Sequence, residues 1–226
     1  MTVSFFKRMF SSVIDVTLVI LVVYLSFVVG GRTILRNRID NFDEIYSTYN
    51  EILETYNSDI QDLQTEYEAN IELANEDEEL EAAATAEYQA KLQLVNDQNA
   101  IDIEPYNEPL SQYFIEIIYY FSIGFLVFVT ILAMAMRGNT PGRRMLSIKL
   151  VVDNGSGEYI APNPIFVLFH DVLLKYFFIV VVFIISMYYG VIMMMVGFII
   201  DLLLMGFTRN HTTIRDILLK IKVIKR

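Results

Sequence analysis

Three aspartates, Asp15, Asp171 and Asp201, stand inside otherwise apolar stretches of this sequence, in the company of Arg8, His170 and Lys175. A carboxylate at the centre of a helix in hydrocarbon costs about 2.5–3.5 kcal/mol on insertion scales, so it takes a partner or a wet cavity. Arg8 and Asp15 are two helical turns apart and share a face with Ser11, Ser12 and Ser26. Asp171 and Lys175 have the helical spacing that lets them pair along one element. Gly190, Met194, Gly197 and Asp201 fall on one face, where the glycines let a neighbouring helix approach. Counted inward from the ends of their apolar stretches, Asp15 and Asp201 lie roughly 9 Å deep, and so does Asp171 if its stretch begins at Ile165. The expectation is one cluster of Asp15, Asp171 and Asp201, balanced by His170, Lys175 and Arg8. Crowded carboxylates in low dielectric suit reversible protonation or cation exchange. The competing reading is structural, with buried ion pairs that only lock helices together.

Little else in the chain offers chemistry. It contains no Cys, which excludes disulfides, thiolate nucleophiles and Cys-ligated metals, and His170 and His211 are its only imidazoles. No Ser/His/Asp or Cys/His arrangement, paired-His zinc motif or nucleotide fingerprint occurs, so neither an enzyme nor a cofactor or metal site is expected. Consecutive Met193, Met194 and Met195 do not converge on one soft metal ion and are read as packing or lipid-facing residues. Thr140-Pro141-Gly142 lacks the glycine spacing and Lys-Ser/Thr end of a phosphate loop and is read as shaping a helix exit.

The elements that must position these residues follow from hydropathy. The chain has 226 residues, is 54% hydrophobic and yet 19% charged, and the charge is segregated. Residues 32–110 hold 20 Asp/Glu against 4 Lys/Arg, while the remainder is net basic. The expected fold is an all-α integral membrane four-helix bundle with an inserted helical hairpin and a short β-hairpin-like loop. Residues 1–31 hold the first span, expected to be retained rather than cleaved as a signal peptide. Residues 111–136 form the second span, with Glu116 near its outer end reaching the surface. Residues 165–186 and 187–207, divided at Ser186 to Gly190, form the third and fourth. The alternative for Ile165 to Lys175 is an amphipathic segment lying along the interface. Basic residues gather before span one, in the loop 137–164 and in the tail 208–226, which places both termini on the cytoplasmic side. Arg32, Arg36 and Arg38 run against that rule.

The insertion carries apolar residues at Ile45, Tyr49, Ile52, Tyr56, Ile60, Leu63, Tyr67 and Ile71, then at Leu80, Ala84, Tyr88, Leu92 and Val95, which predicts two amphipathic arms folded back on each other outside the membrane. Pro105 and Pro109 mark a re-entry linker. Two readings of the hairpin remain, a self-packed spacer and a coiled coil that docks a partner. In the loop, Met145 to Val152 predicts a strand that turns at Asp153-Asn154-Gly155 and pairs with Glu158 to Ile160. The tail Lys220 to Arg226 is read as a surface segment attracted to anionic lipid rather than to nucleic acid.

Three stretches resemble the RDD family of small bacterial multi-pass membrane proteins. They are FKRMFSSVID with Arg8 and Asp15, TPGRRMLSIKLVVDNGSG with Thr140, Pro141 and Gly142, and NHTTIRDILLKIKVI with Asp216. They flank all four spans but leave out the acidic insertion. The chain departs from the family at Ser147, where Gly is usual, at His170, where Arg is common, at Arg215, where His is usual, and at Lys220-Ile221, where Gly-Thr is typical. The resemblance implies a bacterial cell membrane location, and cation/proton exchange has been proposed for some members of the family.

Two functions follow as expectations. The first is a small transport protein or ion-exchange component using intramembrane carboxylates, working as a homo-oligomer because four helices make a thin pathway. The second is a non-transporting adaptor or assembly factor that joins a homo-oligomer or hetero-complex through residues 39–100. The lipid bilayer is the expected surrounding in both, and nucleic acid is excluded by the acidic balance.

Overall fold

The computed structural model describes residues 3–75, 77–153, 158–208 and 211–225. These residues are mostly helical, and four helical stretches are long and apolar enough to cross a membrane: Phe5–Arg36, Glu78–Ala135, Pro164–Ile185 and Met187–Phe207. The chain divides into two compact units, Met1–Arg32 with Ile117–Arg226, and Thr33–Glu116.

In the first unit, α1 (Phe5–Ser26) packs against the C-terminal part of α4 (Glu78–Ala135). Val19 and Val23 are buried with Val129 and Ala133, and the Ser26 hydroxyl meets the Tyr120 hydroxyl at 2.9 Å. A π-helical stretch, Phe27–Gly31, extends α1. After α4 comes α5 (Pro141–Met145), a single turn started by Pro at its first position, then β1 (Ile148–Asp153) and β2 (Tyr159–Ile160). The strand begins later than sequence periodicity suggested because Pro141–Met145 is helical. The Asn154-Gly155 part of the expected turn lies outside the described residues.

The third apolar stretch consists of α6 (Pro164–Leu168), a π-helical segment Phe169–Phe177 and α7 (Phe178–Ile185). Asn163 caps it, its side chain accepting from Ile165 N at 3.0 Å. Extended Ser186 separates α7 from α8 (Met187–Phe207). A Cβ on Gly190 would strike the Phe183 backbone, so only glycine permits this turn. Gly197, expected to sit at an equally close contact, has nothing within 4 Å, because a gap of about 270 Å³ separates α7 from α8 at that level.

The tail corrects the sequence reading. It forms α9 (Ile214–Leu218) and then β3 (Ile221–Lys225), which pairs antiparallel with β1 from Ile148↔Lys225 to Val152↔Ile221. The sheet order is β2-β1-β3. Ile148, Leu150 and Ile221 from its inner face are buried, and Leu150 and Ile221 join Val19, Val167 and Val172 in one core. The Lys/Ile alternation is thus the period of a strand paired with β1, with Ile221 buried and Lys225 exposed.

The helix α2 (Arg32–Arg36) starts at the boundary, and in the second unit α3 (Phe42–Ala74) runs antiparallel to the first half of α4. Tyr56 donates to Asn96 at 2.7 Å, Lys91 bonds Glu66 at 2.7 Å, and the Tyr67 and Tyr88 rings are 4.7 Å apart. The α3 stripe from Ile45 to Ile71 is half-buried throughout, whereas Leu80, expected on the packed face, is exposed. The two prolines do not break the chain: α4 continues through Pro105 and Pro109. They lie one turn apart, so the carbonyls they orphan share one side, around exposed Ile101 and Pro105, where water can satisfy them. Glu116 is largely buried rather than at the surface and faces Arg38 at 3.6 Å, and Arg36 pairs with Asp43. An acid of the insertion, Asp43, and one of the second apolar stretch, Glu116, therefore partner two of the arginines that violate the charge rule.

Candidate functional site

Arg8, Arg143, His170, Asp171 and Asp216 of the first unit converge where α1, α5, the π-helical segment and α9 meet. Each is held by local structure. Thr213 starts α9 with a capping box in which its backbone N–H donates to Asp216 at 2.8 Å, while Asp216 N donates back to the Thr213 hydroxyl. That fixes the Asp216 carboxylate in a fully buried position. Arg8, from the first turns of α1, donates to Asp216 and to the His211 carbonyl. The other Asp216 oxygen lies 2.7 Å from His170 Nε2, and His170 Nδ1 lies 2.7 Å from Asp171 Oδ1. Arg143, on α5, closes the row with a two-pronged contact to Asp171, both bonds 2.6 Å long, and also donates to the Gly138 carbonyl at 2.6 Å.

The result is a ladder, Arg8–Asp216–His170–Asp171–Arg143, in which charge alternates and every member is almost wholly buried. A neutral imidazole has one N–H and both His170 nitrogens lie within hydrogen-bond distance of carboxylate oxygens, so a hydrogen bond at each contact takes one proton more than a neutral histidine supplies. At the α9 end, burial would raise the Asp216 carboxyl, but the His170 hydrogen bond and the Arg8 charge outweigh it and hold Asp216 well below the usual carboxylate range. At the α5 end, burial opposes the charge of Arg143, and Asp171 overcomes it and raises the guanidinium above its ordinary value.

Asp15 stands beside the ladder. It accepts from the Thr140 hydroxyl at 2.5 Å and from Gly142 N at 2.8 Å. A Cβ on Gly142 would collide with the Ser11 carbonyl, so the Thr-Pro-Gly sequence is explained by how closely α5 must approach α1. Lys175 donates to the Ser12 hydroxyl at 3.1 Å, and Asp201 pairs with Arg215 at 3.0 Å. A cavity of about 140 Å³ lies among Arg8, Ser12, His170, Lys175, Asp201 and Arg215.

Sequence reasoning put Arg8, Asp15, Asp171, Lys175 and Asp201 together, and the structure brings all of them to this region. It does not make the shared carboxylate cluster that was expected. Asp15, Asp171 and Asp201 each have a separate donor set, because arginines and a Thr-Gly pair from segments distant in sequence reach them first. The expected Asp171–Lys175 pair is likewise replaced by Asp171–Arg143. Residues 169–177 are π-helical, so positions four apart no longer stack as in an α-helix. Arg143 and the bridging position of His170 were missed. The adjacent arginines after Thr-Pro-Gly were the available signal for the first, and only tertiary contact reveals the second.

No family model matches the chain, and comparison with characterised proteins and with solved structures gives no match either.

Proposed function

We propose that the chain is a multi-pass protein of the bacterial cell membrane, of the RDD type, that couples movement of an ion or small solute to protonation of the Asp171–His170–Asp216 row. Membrane placement is supported by the apolar surface of the four helices, where Leu21, Val29, Phe198 and Phe207 are all at least half exposed. The cytoplasmic placement of both termini rests on the basic residues around Arg8, Arg143 and Lys220. The family assignment gains support from backbone geometry. Ser147 and Lys220, the positions where the family carries glycine, have φ of 54° and 52°, in the left-handed region that favours glycine. Arg8, Asp15, Thr140, Gly142 and Asp216 of the resemblance also fall at one site.

The coupling rests on one observation, the two 2.7 Å contacts of His170. Loss of the extra proton leaves a ring lone pair facing a carboxylate, which favours separation at either the Asp216 or the Asp171 contact. A contact with two protonation-dependent arrangements is what a proton-linked cycle requires. The test is proton movement driven by Na⁺ or K⁺ in proteoliposomes holding the purified chain. Movement that is lost in folded His170→Gln supports coupling, and no movement in well-incorporated native protein across several cations rejects it.

A second reading is the adaptor, favoured by Leu73, Leu80 and Leu94 exposed on the acidic hairpin. Under it, residues 39–100 dock a partner or a second copy. Deleting the hairpin with exchange left intact would count against this reading.

A further inference from the structure

We infer that the cavity beside the ladder binds a phosphate-bearing anion, either a lipid headgroup or free phosphate. Pairing leaves unequal charge in its wall. Arg8 and Arg143 are taken by Asp216 and Asp171, and Asp201 is taken by Arg215. Lys175 has no carboxylate within 4.0 Å among the described residues; it donates to the Ser12 hydroxyl at 3.1 Å and sits 4.7 Å from the Tyr176 ring centre. An ammonium has three donors, so two remain to be used. Arg215, in the same wall, has its Nε buried without a hydrogen-bond partner among the described residues, although the far end of its guanidinium meets Asp201. The Ser12 hydroxyl, having accepted from Lys175, keeps its own hydrogen to donate.

Ammonium, guanidinium and hydroxyl donors therefore border one partly open cavity with a single carboxylate, Asp201, among its described lining residues. A metal cation entering it would meet this excess of positive groups. A phosphate offers several acceptor oxygens at once and satisfies the orphaned donors. Val13 of α1 and Phe198 of α8 supply apolar wall, which suits a headgroup with acyl chains running out between the helices, because basic pockets between membrane helices take anionic headgroups. The inference requires the cavity and Lys175, not proton-linked exchange, and stands if that reading fails.

The experiment titrates the detergent-purified full chain with phosphatidylglycerol or phosphatidylcholine and counts retained lipids by native mass spectrometry, with inorganic phosphate as competitor. One phosphatidylglycerol per chain is expected, with phosphatidylcholine held less tightly. Lys175→Gln weakens retention roughly ten-fold or more, Lys175→Arg preserves it, and Lys149→Gln, an exposed position on β1, leaves it unchanged. Competition by inorganic phosphate identifies free phosphate as a ligand of the cavity, and its failure to compete identifies the lipid headgroup. Equal retention of the two lipids with no effect of phosphate on unfolding temperature overturns the inference. So does native phosphatidylglycerol affinity in folded Lys175→Gln. If Lys175→Gln does not fold, the native lipid comparison decides alone.

Discussion

Asp216→Asn probes the ladder at its most committed member. The native carboxylate is 1% exposed and takes Arg8, His170 and the Thr213 N–H together. Asparagine keeps the shape and one acceptor but removes the charge that Arg8 and His170 face. Breaking one partner of a buried ion pair costs about 3–5 kcal/mol. Arg8 retains the His211 carbonyl, which places the expected cost near the lower end, about 3 kcal/mol. For a chain of this size that lowers the unfolding temperature by roughly 6–12 °C, read by circular dichroism in detergent. Arg8→Met should cost a similar amount, and the double variant should be more stable than the sum of the two by about 2 kcal/mol, because the second change removes a charge already stranded. The pH dependence has a fixed sign. Asp216 is held below its unfolded value, so its stabilisation is complete above an unfolded carboxyl value of about 4 and fades as pH falls through the depressed folded value. The difference between native and Asp216→Asn is therefore full at pH 7 and narrows under acid. Additive single losses, or a difference that grows as pH falls, would refute the reasoning.

Other positions give sharper or opposite responses. Gly142→Ala pushes a methyl into the Ser11 carbonyl and should destabilise by about 1–3 kcal/mol, seen as a lower unfolding temperature. Ser147→Gly and Lys220→Gly relieve left-handed backbone at non-glycine residues. Each should raise stability by about 0.5–1 kcal/mol in the same assay, after the entropic cost of glycine is deducted. In the hairpin, Glu66→Gln removes a solvent-exposed partner of Lys91 and should leave the unfolding temperature nearly unchanged, with any small effect vanishing in high salt.

What sequence made legible follows the range of the forces involved. Hydropathy marks four apolar helices because each stretch carries its own signal, and the α3 stripe repeats often enough to reveal its packed face. The β1 alternation from Ile148 to Val152 was equally local. The tail was harder, since Lys-Ile-Lys-Val-Ile-Lys is too short and charged to declare a strand until β1 supplies the partner. Pro105 and Pro109 misled because a proline normally ends a helix, and here both carbonyls they orphan lie on one exposed side. At the site, residue types were readable and pairings were not. Asp171 chooses Arg143 over Lys175 through a π-helical stretch and a guanidinium from another segment, and neither is visible along one helix. Asp201 finds Arg215 in the same way.

The account turns on the proton held between Asp171 and Asp216, and the most direct measurement is nitrogen NMR of the ring of His170 in ¹⁵N-histidine protein. His211 is the only other imidazole, so His211→Gln assigns the signals. The account predicts two ring N–H protons on His170, or one N–H with a protonated carboxyl neighbour, where the row is intact. A His170 ring with one bare nitrogen and ionised carboxylates on both sides across the whole pH range would contradict it.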